Sequence, residues 1–406
     1  MPLTVKILPA RCWRFSLACV CALALSQGCA TAPKQPPLKL TGDILVDGPA
    51  AVELGPQKDR VLWACRTAAA AMRTGQFDLA ERMLDDALMT IGGITSGAAD
   101  KGAKQARSHF YSESRKSFIG EPYERSMAYI YRGILYWMDG QPDNARACFR
   151  SAQIADSDTE NKTYAGDWVL ADYLDGYATA KLGGDGADAL KRAQAAAKNV
   201  SLPPFNTRAN TLFFIEFGPA PVKFAAGQYG EQLRFNTPPS QIKSAELKIG
   251  QMSFPVAPSD DVAFQATTRG GRVMDHILGK KAVFKSTTST IGDVALIGGI
   301  GTAMASNNRT GQQIGAGLAF AGLLSKALSA STMPDADTRM WDNLPRHLSF
   351  ATLQLPAGQH EATILFKDAS GSVLQKYSKT VSFNVPSEGK DKVVFVSDKS
   401  STPQIQ

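Results

Sequence analysis

Gly75-Gln-Phe77-Asp-Leu-Ala80-Glu-Arg-Met-Leu84-Asp-Asp-Ala87-Leu88 decides how the first half of this chain is read. A turn glycine is followed by small and apolar residues at three- and four-residue steps, the period of a helix face. The stretch Gly140-Gln-Pro-Asp-Asn-Ala145-Arg-Ala-Cys148-Phe149-Arg-Ser-Ala152 echoes it, with Gly133 and Tyr136 standing seven and four residues before Gly140. A weaker third copy places Gly176 ahead of Gly183-Gly-Asp-Gly-Ala-Asp188-Ala189-Leu-Lys-Arg-Ala193. Helical periodicity runs from near Asp59 to about Asn199, so residues 59–200 are assigned to a domain of helical hairpins.

These residues resemble the tetratricopeptide repeat, in which small residues let two helices approach and aromatics plug the groove between them. Gly75 and Gly140 are 65 residues apart rather than 34 or 68, so Gly92 to Phe118 reads as an insertion or a degenerate repeat. Such repeats imply a concave face for a protein partner. Tyr129, Tyr136 and Trp137 are the candidate partner-binding residues, with packing in the core as the other reading.

After Pro203-Pro204 the period changes from 3.6 to 2. Thr211 to Phe217, Gln232 to Phe235, Ala245 to Ile249 and Val262 to Thr267 read as strands. Alternation resumes at His347 to Leu355, His360 to Phe366, Tyr377 to Val385 and Val393 to Val396. The expected fold class is therefore α+β, with N-terminal helical repeats followed by a β-sandwich-like domain over 205–400. Both strand groups fall in one domain, because neither alone makes many strands. Between them a Gly/Ala-rich insert at 288–332 has small residues four apart, at Gly311, Gly315 and Ala319 and at Gly317, Ala321, Ser325 and Ser329. It reads as a helical hairpin that packs on the sheet or the repeats, self-associates, or enters the membrane.

The N-terminus carries an address. Lys6, Arg11 and Arg14 flank an apolar core from Phe15 to Leu25, too short for the ~20 residues that span a bilayer. The arrangement resembles a bacterial lipoprotein signal over residues 1–28, with Cys29 as the lipidated first residue, although Ser26 stands where leucine is usual. Ala30-Thr31-Ala32 also fits ordinary cleavage and plain secretion. Residues 29–58 are read as the lipidated cysteine and a Pro-rich tether. Ala30 after the cysteine, by resemblance to the known sorting rule, implies the outer membrane and its periplasmic face.

Composition fits an exported, folded protein: 406 residues, 44% hydrophobic and 20% charged, with a net charge of +7. No Lys/Arg stripe with interleaved aromatics points to nucleic acid. Cys65 and Cys148 remain after the signal and Cys29, either as buried thiols or as a disulfide. Chemistry is sparse. His109, His276, His347 and His360 lack zinc spacing, and no cofactor or metal motif occurs.

The cysteine signal, the repeats, Phe213-Phe-Ile-Glu-Phe-Gly-Pro-Ala-Pro221, the Gly/Ala insert, Ala336-Asp-Thr-Arg-Met-Trp-Asp-Asn-Leu-Pro345 and Leu355-Pro-Ala-Gly-Gln-His360 together resemble a family of uncharacterised bacterial envelope lipoproteins. The resemblance implies location and architecture: an outer-membrane lipoprotein among other envelope proteins. Asp337, Arg339, Trp341 and Pro345 form its most specific run and read as a lock between the hairpin and the sheet, or as a ligand site. The expected function is a non-enzymatic interaction scaffold. Glycan or peptidoglycan binding through an exposed Trp341, and an envelope hydrolase with paired carboxylates, are the alternatives.

Overall fold

Helix formation starts earlier than hydrophobic period alone indicates. The computed structural model describes residues 38–95, 116–158, 164–198, 200–228, 230–268 and 336–406. Residues 1–37, with Cys29, and the insert at 288–332 lie outside the described residues. Helix α1 (Ile44–Leu54) falls inside the stretch read as tether. Polar caps start it: Asp43 accepts from the Leu45 N–H at 2.9 Å, and buried Asp47 accepts from Thr41 and Gly42 N–H groups, each at 2.8 Å.

Three helical hairpins follow. Helix α2 (Arg60–Arg73) packs on α3 (Phe77–Thr95), α4 (Pro122–Met138) on α5 (Pro142–Asp156), and α6 (Val169–Lys181) on α7 (Ala187–Ala196). Gly140 turns the second hairpin at φ +73°, a conformation that favours glycine. Gly133 is required for a different reason: a Cβ there would lie 2.6 Å from the Phe149 ring. The close approach of α4 and α5 is thus written into one missing side chain.

The strands form two larger sheets and a hairpin. The first sheet runs β10 (Lys392–Ser397), β1 (Thr211–Phe217), β7 (His347–Leu353), β6 (Asp260–Asp261). The second runs β11 (Gln404–Ile405), β9 (Lys379–Val385), β8 (Gly358–Lys367), β4 (Ser244–Ile249), β5 (Met252–Val256). Strands β2 (Val222–Ala226) and β3 (Gln232–Asn236) pair with each other. Strand β1 is parallel to β10 and antiparallel to β7, while β4 is antiparallel to β8. Strands from before and after the insert therefore interleave in both larger sheets.

One segment read as a strand is a helix. Val262 to Thr268 forms α8, because Asp261 caps it, accepting from Ala263 and Phe264 N–H groups at 2.9 and 3.2 Å. Val262, Gln265 and Ala266 are buried at three- and four-residue spacing, so the run has a helical inner face that short-range alternation hid.

Strand β1 lies at the centre and is buried along its whole length. Its alternating residues serve two cores. Phe213, Ile215 and Phe217 join Val394, Val396, Phe366, Phe383 and Leu247 between the two sheets. Leu212 and Phe214 join Phe395, Phe350, Tyr131 and Trp341 on the helical side. The helical face of β1 also carries Glu216, which is buried. Arg73, at the end of α2, donates to it from Nε at 2.7 Å and Nη2 lies at 2.6 Å. The Tyr131 hydroxyl of α4 donates to its other oxygen. Burial, then the Glu216 charge, pushes the Tyr131 phenol well above its ordinary range and keeps it a donor.

Dehydrating each ion costs several kcal/mol, so these groups stabilise the protein only together. Arg73→Met is expected to lower the unfolding free energy by about 3–5 kcal/mol, since it leaves a buried charge unpaired. The triple variant Arg73→Met/Tyr131→Phe/Glu216→Leu is expected to recover most of that loss. Urea denaturation followed by circular dichroism measures both, and equal losses in the two variants would refute the coupling.

Candidate functional site

Asp260 and Asp261 are neighbours on a two-residue strand, and strand geometry sends neighbouring side chains opposite ways. Each caps a different helix. Asp260 accepts from the Leu170 and Val169 N–H groups at 2.7 and 3.4 Å, so α6 receives its N-terminal cap from a residue 90 positions on. Asp261 caps α8, as above. A third carboxylate, buried Asp156 at the end of α5, accepts from Gly166 and Asp167 N–H groups at 2.8 and 3.2 Å and from Trp168 Nε1 at 2.9 Å. These bonds satisfy amides that the start of a helix leaves without partners.

Between α6, α7, α8 and the first residue of β7 this capping leaves a cavity of about 560 Å³, within the size range of small-molecule sites. Burial orders its wall. Asp260 and Gln265 are fully buried, Asp261 and His347 are half-buried, and Arg192 and Lys198 are exposed. Val169, Val200 and Pro258 make the apolar part. Tyr164 and Phe264 meet edge to face across the wall, with ring centroids 6.1 Å apart.

Electrostatics divides the same residues. Burial raises the Asp260 carboxyl well above the usual carboxylate range; the Leu170 and Val169 amides pull the other way, and the charges of Asp167 and Asp156 add to the rise. Burial lowers His347 to about 4, against the opposing pull of Asp261 and with a contribution from Arg346. The imidazole is therefore neutral at neutral pH. Its ring lies 5.3 Å from that of Phe217, and its Nδ1 is buried without a hydrogen-bond partner. Arg192 is held outside the cavity's inner end by Asp172 at 2.9 Å and Asp175 at 3.6 Å.

Among the described residues of this wall there is no serine, threonine or cysteine for His347 to activate. The carboxylates are engaged by backbone amides. The arrangement suits holding a ligand better than attacking one.

The residues singled out by sequence fall elsewhere. Trp137 is buried in the helical core, and its indole donates to Asp391 at 3.1 Å beside β10. Tyr136 is half-buried under the Arg132 guanidinium, 3.5 Å from its ring centroid, and Tyr129 is half-buried against the same core. Asp337, Arg339, Trp341 and Pro345 belong to a strap over the helices. Arg339 pairs with Asp337 and Asp59 at 2.7 Å each and donates to the Lys58 and Lys116 carbonyls. The Trp341 N–H donates to Glu124 at 2.7 Å, and its ring meets Tyr131 edge to face at 5.7 Å. Trp341 and Pro345 are buried, which removes Trp341 as an exposed platform. Cys65 and Cys148 are free thiols, and burial pushes Cys148 up to about 11.

Sequence reasoning missed Asp260, Asp261 and the placement of His347. The Asp-Asp pair ahead of Val262 was a legible capping signal, whereas His347 was weighed only for zinc spacing. Among the described residues no cluster of His, Cys, Asp and Glu is arranged to hold a metal ion, and no helix is long and apolar enough to cross a membrane.

No known protein family, curated protein or solved structure matches this chain. The function must therefore be argued from its own residues.

A histidine held neutral by burial links stability to pH. His347 titrates near 4 when folded and near 6.5 when unfolded, so the unfolded chain takes up its proton first and stability falls as pH drops from 6.5 toward 4. His347→Gln is expected to flatten that fall by up to about one bound proton. Urea denaturation of both proteins at half-unit pH steps checks it; parallel curves would exclude His347 as the titrating group.

Proposed function

We propose that this protein is a non-enzymatic scaffold on the periplasmic face of the bacterial outer membrane, held there by lipid on Cys29. In this reading the hairpins of 59–200 are tetratricopeptide-like repeats and offer a surface to other envelope proteins. The two sheets of 205–400 form a β-sandwich, and the insert at 288–332 contributes a Gly-rich hairpin. The anchor raises the effective concentration of the repeats for partners at the membrane.

One observation carries the proposal: helices and sheets are joined through dry ion pairs instead of meeting across an open catalytic cleft. Arg73 and Glu216 lie at one joint. At another, buried Lys223 of β2 bonds Glu124 of α4 at 2.6 Å. Lys181 and Asp391 close a third at 2.6 Å. Such a body positions its surfaces rigidly, which is what a scaffold needs. The engaged carboxylates around the cavity support the non-enzymatic reading over an envelope hydrolase.

Cells fed an alkynyl palmitate analogue are expected to label the wild-type protein and retain it in the outer-membrane fraction. The Cys29→Ser variant is expected to be unlabelled and released as a soluble periplasmic protein. A mature N-terminus at Pro33 without fatty acid would overturn the anchor. Photo-cross-linking residues at Met89 and Ile154, 76% and 71% exposed on the helical layer, are expected to trap a discrete envelope protein in living cells. Absence of any adduct at both positions would sink the scaffold reading.

A further inference from the structure

The cavity between α6, α7, α8 and β7 has a ligand chemistry of its own. We infer that it binds a small organic cation, an alkylammonium or guanidinium on a short apolar stem. This inference stands apart from the anchor and the scaffold, because it uses only the walls of the cavity.

Size comes first. A volume of about 560 Å³ holds a ligand of a few carbon atoms with room for bridging water. The wall then limits the charge. Its inner and middle parts carry Asp260, Asp261 and Asp167, with Asp156 behind the same loop through its bonds to Gly166 and Asp167. An anion entering there meets like charge, and the helix N-termini that would otherwise attract it are already capped by Asp260 and Asp261. The two wall cations do not offset this. Arg192 is held by Asp172 and Asp175, and Lys198 is exposed.

Free acceptor capacity agrees. Asp261 bonds the α8 amides through Oδ1, while its Oδ2 has only Arg346 at 3.7 Å. A carboxylate accepts up to about four hydrogen bonds, so Asp261 and Asp260 can each take an N–H from a ligand and keep their caps. Desolvation and neighbouring acids penalise the charge on Asp260, and a bound cation relieves that penalty. The aromatic pair supplies the third element. Tyr164 and Phe264 present ring faces and edges beside the carboxylates, and cations are attracted to such faces. Val169, Val200 and Pro258 accept the stem. Carboxylates, aromatic rings and an apolar floor in one enclosure select an amphipathic cation over a hydrated inorganic one.

Isothermal titration of the full-length protein in detergent tests this with cadaverine, agmatine and butylammonium. Glutarate and 1-pentanol serve as anionic and neutral counterparts, and a blocked tripeptide with a central lysine tests a protein-borne side chain. The free amines are expected to bind at least tenfold tighter than glutarate and pentanol. Asp261→Asn keeps the α8 cap, since asparagine caps as well as aspartate, and is expected to weaken amine binding at least tenfold. Phe264→Leu is expected to weaken it three- to tenfold, and Lys198→Ala to leave it equal or tighter. Amines that bind no better than the counterparts, or an Asp261→Asn variant with unchanged affinity, would overturn the proposal. A lysine tripeptide binding tenfold tighter than every free amine would also overturn it, and assign the cavity to a peptide side chain.

Discussion

A carboxylate in the middle of a buried strand constrains everything around it. Glu216 sits on β1, which is covered on both faces, so its charge has no route to water. It is tolerable only because Arg73 and Tyr131 arrive from two different helices to meet both of its oxygens. A charge that needs partners from α2 and α4 fixes how the helical layer sits on the first sheet. Apolar packing alone, being non-directional, would allow the helices to slide. The ion pair removes that freedom at the cost of dehydrating two charged groups.

The same device recurs at the other end of α4. Glu124 belongs to a capping box with Glu121, accepting the Glu121 N–H at 2.7 Å. It also accepts from the Lys223 ammonium at 2.6 Å and the Trp341 N–H at 2.7 Å. One side chain thus ends a helix, neutralises a buried lysine from β2 and holds the strap from Ala336 to Pro345. Arg339 extends the strap across the helical layer to Asp59 and Lys116. The strap was read as a lock between the insert and the sheet. Its partners are instead mostly helical, because its arginine and its backbone N–H face acids contributed by the helices.

The cavity is a by-product of capping. Asp260 reaches α6 and Asp261 starts α8, so the space between those helix starts is walled by carboxylates. His347 opens β7 opposite Asp261 in the ladder and closes one side as a neutral ring. Together these residues give the protein a small polar enclosure with little nucleophilic chemistry in it. That character agrees with a molecule built to hold and position.

Local order was legible from the residues in sequence. The α+β class, the three hairpin turns and most strands followed from periods of 3.6 and 2 and from turn glycines, because those signals arise from near neighbours. Two local readings failed where a capping residue mattered more than alternation, at α1 behind Asp43 and at α8 behind Asp261. Tertiary structure alone decided the rest. It interleaved strands from both sides of the insert, buried Trp137 and Trp341, and brought Arg73 to Glu216 across 143 positions and Leu170 to Asp260 across 90. Pairings of that kind depend on which faces are left to bury once the elements exist, and no short-range pattern records which distant charge will share the same dry space.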